Sequence, residues 1–163
     1  MSELAFMSAE LCAPETLASP LARALAAADP ALGLEDLSAT GIVELLGDVA
    51  AFAPEPGDEL LRLTPQRALV LRQGPVVATV ERARAAGLRA YDVSAAYAGL
   101  ALTGEALLRR LTELDLDSLP VAGALAHVSA LIFRDGDRFR IYVPQELGHY
   151  LVEVVCDLAE GLA

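Results

Sequence analysis

The sequence contains no lysine, asparagine or tryptophan, and its 163 residues include only two cysteines, Cys12 and Cys156. The cysteines form neither a Cys-x-x-Cys redox pair nor a metal-ligand spacing, which argues against thiol and zinc chemistry. All 12 basic residues are arginines, against 23 acidic residues, and the net charge is −11. Because such a surface repels phosphate groups, we expect neither nucleic acid nor a membrane as a partner.

No stretch of the sequence is long and apolar enough to span a membrane, and its first residues lack the features of a signal peptide. We therefore expect a cytoplasmic protein. The sequence also has no G-x-x-x-x-G-K-[ST] loop, no G-x-G-x-x-G fingerprint and no H-E-x-x-H motif. These absences argue against nucleotide and metal chemistry, and we predict no catalytic, cofactor-binding or metal-binding residue.

Residues 1–30 are predicted to form an N-terminal arm and a short helix, and residues 31–163 a single α+β domain. The arm, roughly the first dozen residues, shows no clear period. Ser19 can cap the short helix, Pro20 suits its first position and Pro30 stops it. From Leu34 the pattern becomes an alternation typical of a strand.

Three further helices are predicted from apolar residues at helical spacing. The first covers 75–86 and ends at Gly87, a typical C-terminal stop. The second lies near 104–114 and the third covers 144–160. Their apolar stripes are Val76, Val77, Val80 and Ala83 in the first, Leu107, Leu108, Leu111 and Leu114 in the second, and Leu147, Tyr150, Leu151, Val154, Val155 and Leu158 in the third.

The chain divides into two related halves, at about 34–87 and 88–161. Asp36-Leu37-Ser38 recurs as Asp92-Val93-Ser94, and each copy precedes a strand, a glycine, an apolar helix, and a hairpin that runs into an amphipathic helix. The second hairpin is predicted from Asp-Gly in Arg134-Asp135-Gly136-Asp137, between strands at 125–133 and 139–143. The second half also has an additional segment at 115–123.

Two strand–helix–hairpin–helix units leave two apolar sheet faces to bury. The faces can be buried against each other, or the units can continue one sheet across a pseudo-twofold axis. The sequence thus predicts an α+β fold with a mainly antiparallel sheet and helices packed on one side of it.

Two histidines could act as general bases. His127 is predicted inside a strand with Ser129 on the same face, a pair that can indicate nucleophilic catalysis. Since no orienting acid is evident, a structural or partner-facing histidine is the better interpretation. His149 is predicted on the polar face of the last helix between Glu146 and Glu153, an ordinary surface arrangement.

Two charged clusters allow a binding interpretation. An acidic cluster could hold Ca²⁺, but it lacks the glycine and terminal glutamate of a calcium loop, so we expect a solvated loop. Arginines around the second hairpin could clamp a carboxylate, or protect a strand edge from pairing, which is commoner. The acids are Glu113, Asp115 and Asp117, and the arginines are Arg134, Arg138 and Arg140.

Several short motifs occur in an order that resembles the folate-binding aminomethyltransferase superfamily over about residues 34–160. They are Ala90-Tyr91-Asp92-Val93-Ser94, Leu100-Ala101-Leu102-Thr103-Gly104, residues 107–116, Leu119-Pro120 and Gly123. That superfamily includes the T-protein of the glycine cleavage system and the gamma subunit of heterotetrameric sarcosine oxidase. The resemblance implies a fold like the aminomethyltransferase folate-binding domain.

Departures from the superfamily pattern favour the gamma subunit. Aminomethyltransferases carry an Asp-Asp pair where this chain has Ser129-Ala130, so their acid is absent. The Lys-Gly-Cys-Tyr motif of iron–sulfur-repair relatives is also absent. One difference from the gamma subunits is Asp117-Ser118, where they usually have His-Pro.

The resemblance implies an accessory subunit of a flavin-dependent complex that oxidises sarcosine or a related N-methyl amine. Its partners would be the large, alpha-like subunit and the other subunits, and the cofactors would belong to them. Two alternatives stay open: a stand-alone binder of a folate-like small molecule in a central groove between the halves, and a homodimeric structural protein.

Overall fold

A computed structural model of the protein describes residues 19–161. The predicted N-terminal arm lies outside the described residues, and the domain boundaries at 1–30 and 31–163 stay a prediction. The helices of the described part are α1 (Ala22–Ala27), α2 (Val77–Ala85), α3 (Glu105–Leu111) and α4 (Gly148–Glu160). Its strands are β1 (Glu35–Asp36), β2 (Gly41–Leu46), β3 (Glu59–Thr64), β4 (Arg67–Arg72), β5 (Arg89–Asp92), β6 (Tyr97–Thr103), β7 (Val121–Leu125), β8 (Val128–Asp135) and β9 (Arg138–Pro144).

The strands form two antiparallel sheets. Sheet A has five strands in the order β1-β6-β9-β8-β7, and sheet B has four in the order β3-β4-β2-β5. All the strand pairings are antiparallel. The predicted combination of antiparallel strands and helices is therefore confirmed, but the strands form two sheets instead of one.

The two sheets pack face to face, and the helices cover their outer faces. Successive side chains of a strand point to opposite faces, so each strand serves two cores. In β4, Val70 belongs to the core beneath α2, whereas Leu69 and Leu71 belong to the core between the sheets. Leu108 of α3 and Leu151 of α4 pack on the outer face of sheet A. Burial of the two apolar faces against each other is thus the observed arrangement.

Each half contributes a strand to the sheet of the other half. The first-half strand β1 pairs with β6 in sheet A, and the second-half strand β5 pairs with β2 in sheet B. The backbone N–H of Leu37 donates to the Gly99 carbonyl (2.7 Å), and that of Val93 donates to the Ile42 carbonyl (2.9 Å). Neither sheet is complete without both halves, so the two halves form one packed unit.

The predicted strand at 125–133 is wrong at its beginning. Leu125 ends β7, Ala126 and His127 form a turn, and β8 begins at Val128. Neither turn residue is a glycine or an asparagine, so the usual signal for a tight hairpin was missing. The turn of the β8–β9 hairpin also lies one residue later than predicted, because Asp135 still pairs with β9.

The predicted helices are present with shorter bounds, except that the apolar helix predicted after Gly47 is only a 3₁₀ turn, Val49–Ala51. Helix α2 begins at Val77, two residues later than predicted. The predicted inward residues Val76 and Ala83 are buried, but Val77 is 65% exposed and Thr79 is fully buried. Pro30 does not end α1, which already ends at Ala27; Pro30 begins a separate 3₁₀ turn that Asp29 caps. A 3₁₀ turn also precedes α4.

Candidate functional site

The turn between β7 and β8 places His127 at the surface. Ala126 and His127 have φ angles of 47° and 67°, in the left-handed region that side chains other than glycine rarely adopt. The Ala126 N–H donates to the Leu111 carbonyl (2.7 Å), and the Tyr150 hydroxyl donates to the Ala126 carbonyl (3.2 Å). The predicted pairing of His127 with Ser129 on one strand face is therefore wrong, since only Ser129 lies in β8.

The hairpin arginines each bind a glutamate of the chain itself. The pairs are Arg134 with Glu105 (3.0 Å), Arg140 with Glu59 (2.7 Å), and Arg138 with Glu35. Hydrogen bonds and charge from Arg109 and Arg134 lower the pKa of Glu105. Strands β8 and β9 are central in sheet A, so edge protection is the wrong interpretation. The arginines do clamp carboxylates, but these belong to the chain's own strands and helices.

The acidic cluster caps a turn. The Asp115 carboxylate accepts hydrogen bonds from the Asp117 N–H (3.1 Å) and the Ser118 hydroxyl (2.5 Å). These bonds, led by that from Ser118, lower the pKa of Asp115. Glu113, Asp115 and Asp117 are all exposed, as predicted. Between residues 19 and 161 no group of three or more His, Cys, Asp or Glu side chains could hold a metal ion.

The space between the two sheets is filled by side chains. Tyr142 and Phe133 meet edge to face with ring centroids 6.0 Å apart, and the hydroxyls of Tyr142 and Thr40 are 3.1 Å apart. The Arg140 guanidinium lies 5.5 Å from the Phe133 ring centre and bonds across to sheet B through Glu59. Burial raises the pKa of Tyr142. The apolar side chains around this centre are Ile42, Leu61, Leu69, Leu71 and Leu131.

A buried ionic cluster, not foreseen from the sequence, ties the loop before β3 to β4 and α2. The Asp58 carboxylate is 0% exposed and accepts hydrogen bonds from Arg72 (3.2 Å) and Arg82. Arg72 also donates to the Thr79 hydroxyl (3.0 Å), and the Arg82 guanidinium lies 5.5 Å from the Phe52 ring centre. A single acid between distant arginines leaves no periodic signal in a sequence.

An open groove of about 670 Å³ lies between α3, α4 and the β7–β8 turn, and we call it the His127 groove. The Thr112 hydroxyl at one side donates to the Ala124 carbonyl of β7 (2.6 Å). The polar lining residues are Arg109, Arg110, Thr112, Glu113, His127 and Tyr150, and the larger apolar ones are Leu111, Leu114, Val154 and Leu158.

A second groove, of about 610 Å³, lies between α1 and α4. It contains His149, which is exposed as predicted, together with Glu153 and Cys156. Burial raises the pKa of the Cys156 thiol, and the nearby carboxylates, led by Asp157, raise it further. Because the thiolate is the reactive form, these groups lower the share of reactive Cys156 at neutral pH.

Among the described helices, none combines the length and apolar character that a membrane crossing requires. No protein-family model matches the sequence, and no curated protein matches it at a significant level. The structure is similar to a chain of the heterotetrameric sarcosine oxidase from Corynebacterium sp. U-96 in complex with pyrrole 2-carboxylate, with a TM-score of 0.73 and 21% sequence identity. This match covers 86% of the present chain and 93% of that chain.

The two chains therefore have similar lengths and share one fold over most of their residues. The predicted resemblance to sarcosine oxidase is confirmed at the level of the fold. The structure is more weakly similar to the ligand-free regulatory subunit of aspartate kinase from Thermus thermophilus, with a TM-score of 0.43 and 14% sequence identity. That match covers 76% of the present chain and 95% of the other chain.

Proposed function

We propose that the chain is a gamma-like accessory subunit of a heterotetrameric, sarcosine oxidase-type flavoprotein complex, and that it acts through protein–protein contacts without catalysis of its own. The observation that carries the proposal is the fold shared with a chain of such a heterotetramer. Because the match spans 93% of that chain, it involves a whole subunit and not one domain of a larger enzyme. A cytoplasmic location is part of the same proposal.

The described side chains support an accessory role. The arginines that could clamp a substrate carboxylate are already bound to glutamates of this chain. Where the resemblance puts the aminomethyltransferase acid, this chain has the exposed Ser129 and the buried Ala130. The groups that could do chemistry thus hold the fold together or lie without an orienting partner.

The packing between the sheets argues against a stand-alone folate-like binder. A small-molecule site needs a concave space of several hundred Å³ that encloses most of the ligand. Here Phe133, Tyr142 and the aliphatic side chains around them occupy the centre between the two halves. A pteridine ring would have to displace this core.

Co-expression with the alpha-like subunit and the other subunits of a sarcosine oxidase-type complex tests the proposal. We expect the chain to co-purify in a constant ratio with the flavoprotein and to show no amine oxidation when purified alone. Titration of the isolated chain with tetrahydrofolate in a calorimeter is the complementary experiment. Tight folate binding, or a chain that stays separate from all the candidate subunits, would contradict the proposal.

A further inference from the structure

We propose that the His127 groove is the surface that holds the partner subunit, and that it receives a protein segment presenting a carboxylate beside aliphatic side chains. This inference rests on the proposed function, because it assigns a contact to the accessory subunit. It is carried by three features of the groove: its open apolar lining, the Arg110 guanidinium, which meets no carboxylate among the described residues, and its constrained turn.

The lining suits a protein segment better than a small molecule. Leu111 and Leu114 form apolar surface on one side, and Val154 and Leu158 on the α4 side. The surrounding residues Arg109, Arg110, Glu113, Ala124 and His127 are all exposed, so the groove does not enclose its contents. Small ligands are usually buried over most of their surface, whereas a docked segment keeps one side on its own protein.

The charges of the groove favour a carboxylate. Arg109 is bound to Glu105 (2.7 Å), but Arg110 has no carboxylate within 4 Å among the described residues. The contact that Arg110 does make is a 3.5 Å hydrogen bond to the Gly161 carbonyl. Within the described lining Glu113 is the single acid, in a chain whose net charge is −11. Arginine at this surface offers the planar donors that carboxylates bind best.

The turn that carries His127 is constrained by its neighbours. Two consecutive residues other than glycine hold positive φ angles there, at a conformational cost that a glycine would avoid. Hydrogen bonds from Ala126 to α3 and from Tyr150 of α4 keep the turn in place. Strained residues persist where the surroundings enforce them, and they concentrate at functional positions. A turn fixed in advance also reduces the ordering cost of binding.

Affinity measurements between the full chain and the purified remainder of the complex test the groove. Arg110→Glu should weaken binding by about tenfold or more, because it reverses the charge that meets the carboxylate. His127→Gly should weaken binding by about threefold, while the melting temperature of the isolated chain stays the same or rises because glycine accepts the turn. Arg62→Glu, an exposed change on β3, is the matched control and should alter affinity by less than about twofold.

Each result decides between the two proposals. If the unmodified chain binds and both groove variants bind as tightly as Arg62→Glu, the groove is the wrong surface and the accessory-subunit proposal stands. If Arg110→Glu and Arg62→Glu weaken binding equally, the effect is one of net charge and the groove is again the wrong surface. If the unmodified chain does not bind at all, both proposals are overturned.

Discussion

Ser38 and Ser94 occupy equivalent positions in the two halves. The hydroxyl of each serine accepts a hydrogen bond from a backbone N–H of the other half. The Ser38 hydroxyl accepts a hydrogen bond from the backbone N–H of Gly99 (3.2 Å), and the Ser94 hydroxyl accepts one from the N–H of Ile42 (2.9 Å). The serine backbones are held alike, by Asp36 (2.9 Å) and Asp92 (3.0 Å). The repeated Asp-x-Ser motif thus joins the strand pairs on which both sheets depend.

Replacement of either serine should destabilise the fold. Ser38→Ala and Ser94→Ala each leave a buried backbone N–H without its acceptor, so each should lower the free energy of unfolding by about 1–2 kcal/mol. Urea denaturation followed by circular dichroism measures this. Ser129→Ala, at an exposed position, is the control and should stay within about 0.5 kcal/mol. Unchanged stability in both motif variants would show that the hydroxyls do not tie the strands.

The Thr40–Tyr142 contact should appear as a coupling in a double-mutant cycle. Thr40→Val and Tyr142→Phe each leave the other hydroxyl buried without its partner, so each should cost about 1–2 kcal/mol. The double variant should be less destabilised than the sum of the single changes by about 0.5–1.5 kcal/mol. Thermal and urea unfolding of the four proteins supply the energies, and strict additivity would argue that the 3.1 Å contact contributes nothing.

Stability should fall at alkaline pH because of buried phenols. Burial raises the pKa of Tyr142. Burial also raises the pKa of Tyr97, and the opposing effect of the Arg67 charge there is smaller. A folded-state pKa above the unfolded value of about 10 means that the stabilisation is complete below about pH 10 and is lost as the pH rises through the folded-state pKa. Between pH 8 and 11 the urea midpoint of Tyr142→Phe should decline less steeply than that of the unmodified protein. An equal decline in both proteins would contradict this.

Removal of the buried acid at Asp58 should be more damaging than removal of a surface acid. Asp58→Asn keeps the size of the side chain but leaves Arg72 and Arg82 without their shared charge partner. Since both arginines are about a quarter exposed, we expect a loss of about 2–3 kcal/mol, below the range for fully buried pairs. Glu105→Gln, in exposed pairs that solvent screens, should cost much less than Asp58→Asn. Similar losses in the two variants would mean that solvent screens Asp58 as well.

The sequence predicted most elements because their signals are local. The apolar stripe of α4 and the Asp-Gly of the β8–β9 hairpin need only a few neighbouring residues to be recognised. The turn at Ala126 and His127 escaped prediction because its conformation is imposed by α3 and α4 and not by its own residues. The Asp58 cluster and the grooves escaped for the same reason, since they join residues that are far apart in the chain.

By itself the sequence determined helices α2, α3 and α4, the β3–β4 and β8–β9 hairpins and the repeat of the Asp-x-Ser motif, which depend on periodicity and short-range patterns. The tertiary structure alone decided that β1 and β5 complete the sheet of the opposite half, and that the sheets face each other around Tyr142. Those choices depend on contacts such as Ser38 with Gly99, which are 61 positions apart. Their free energy comes from packing two whole faces together, and no local pattern of residues encodes it.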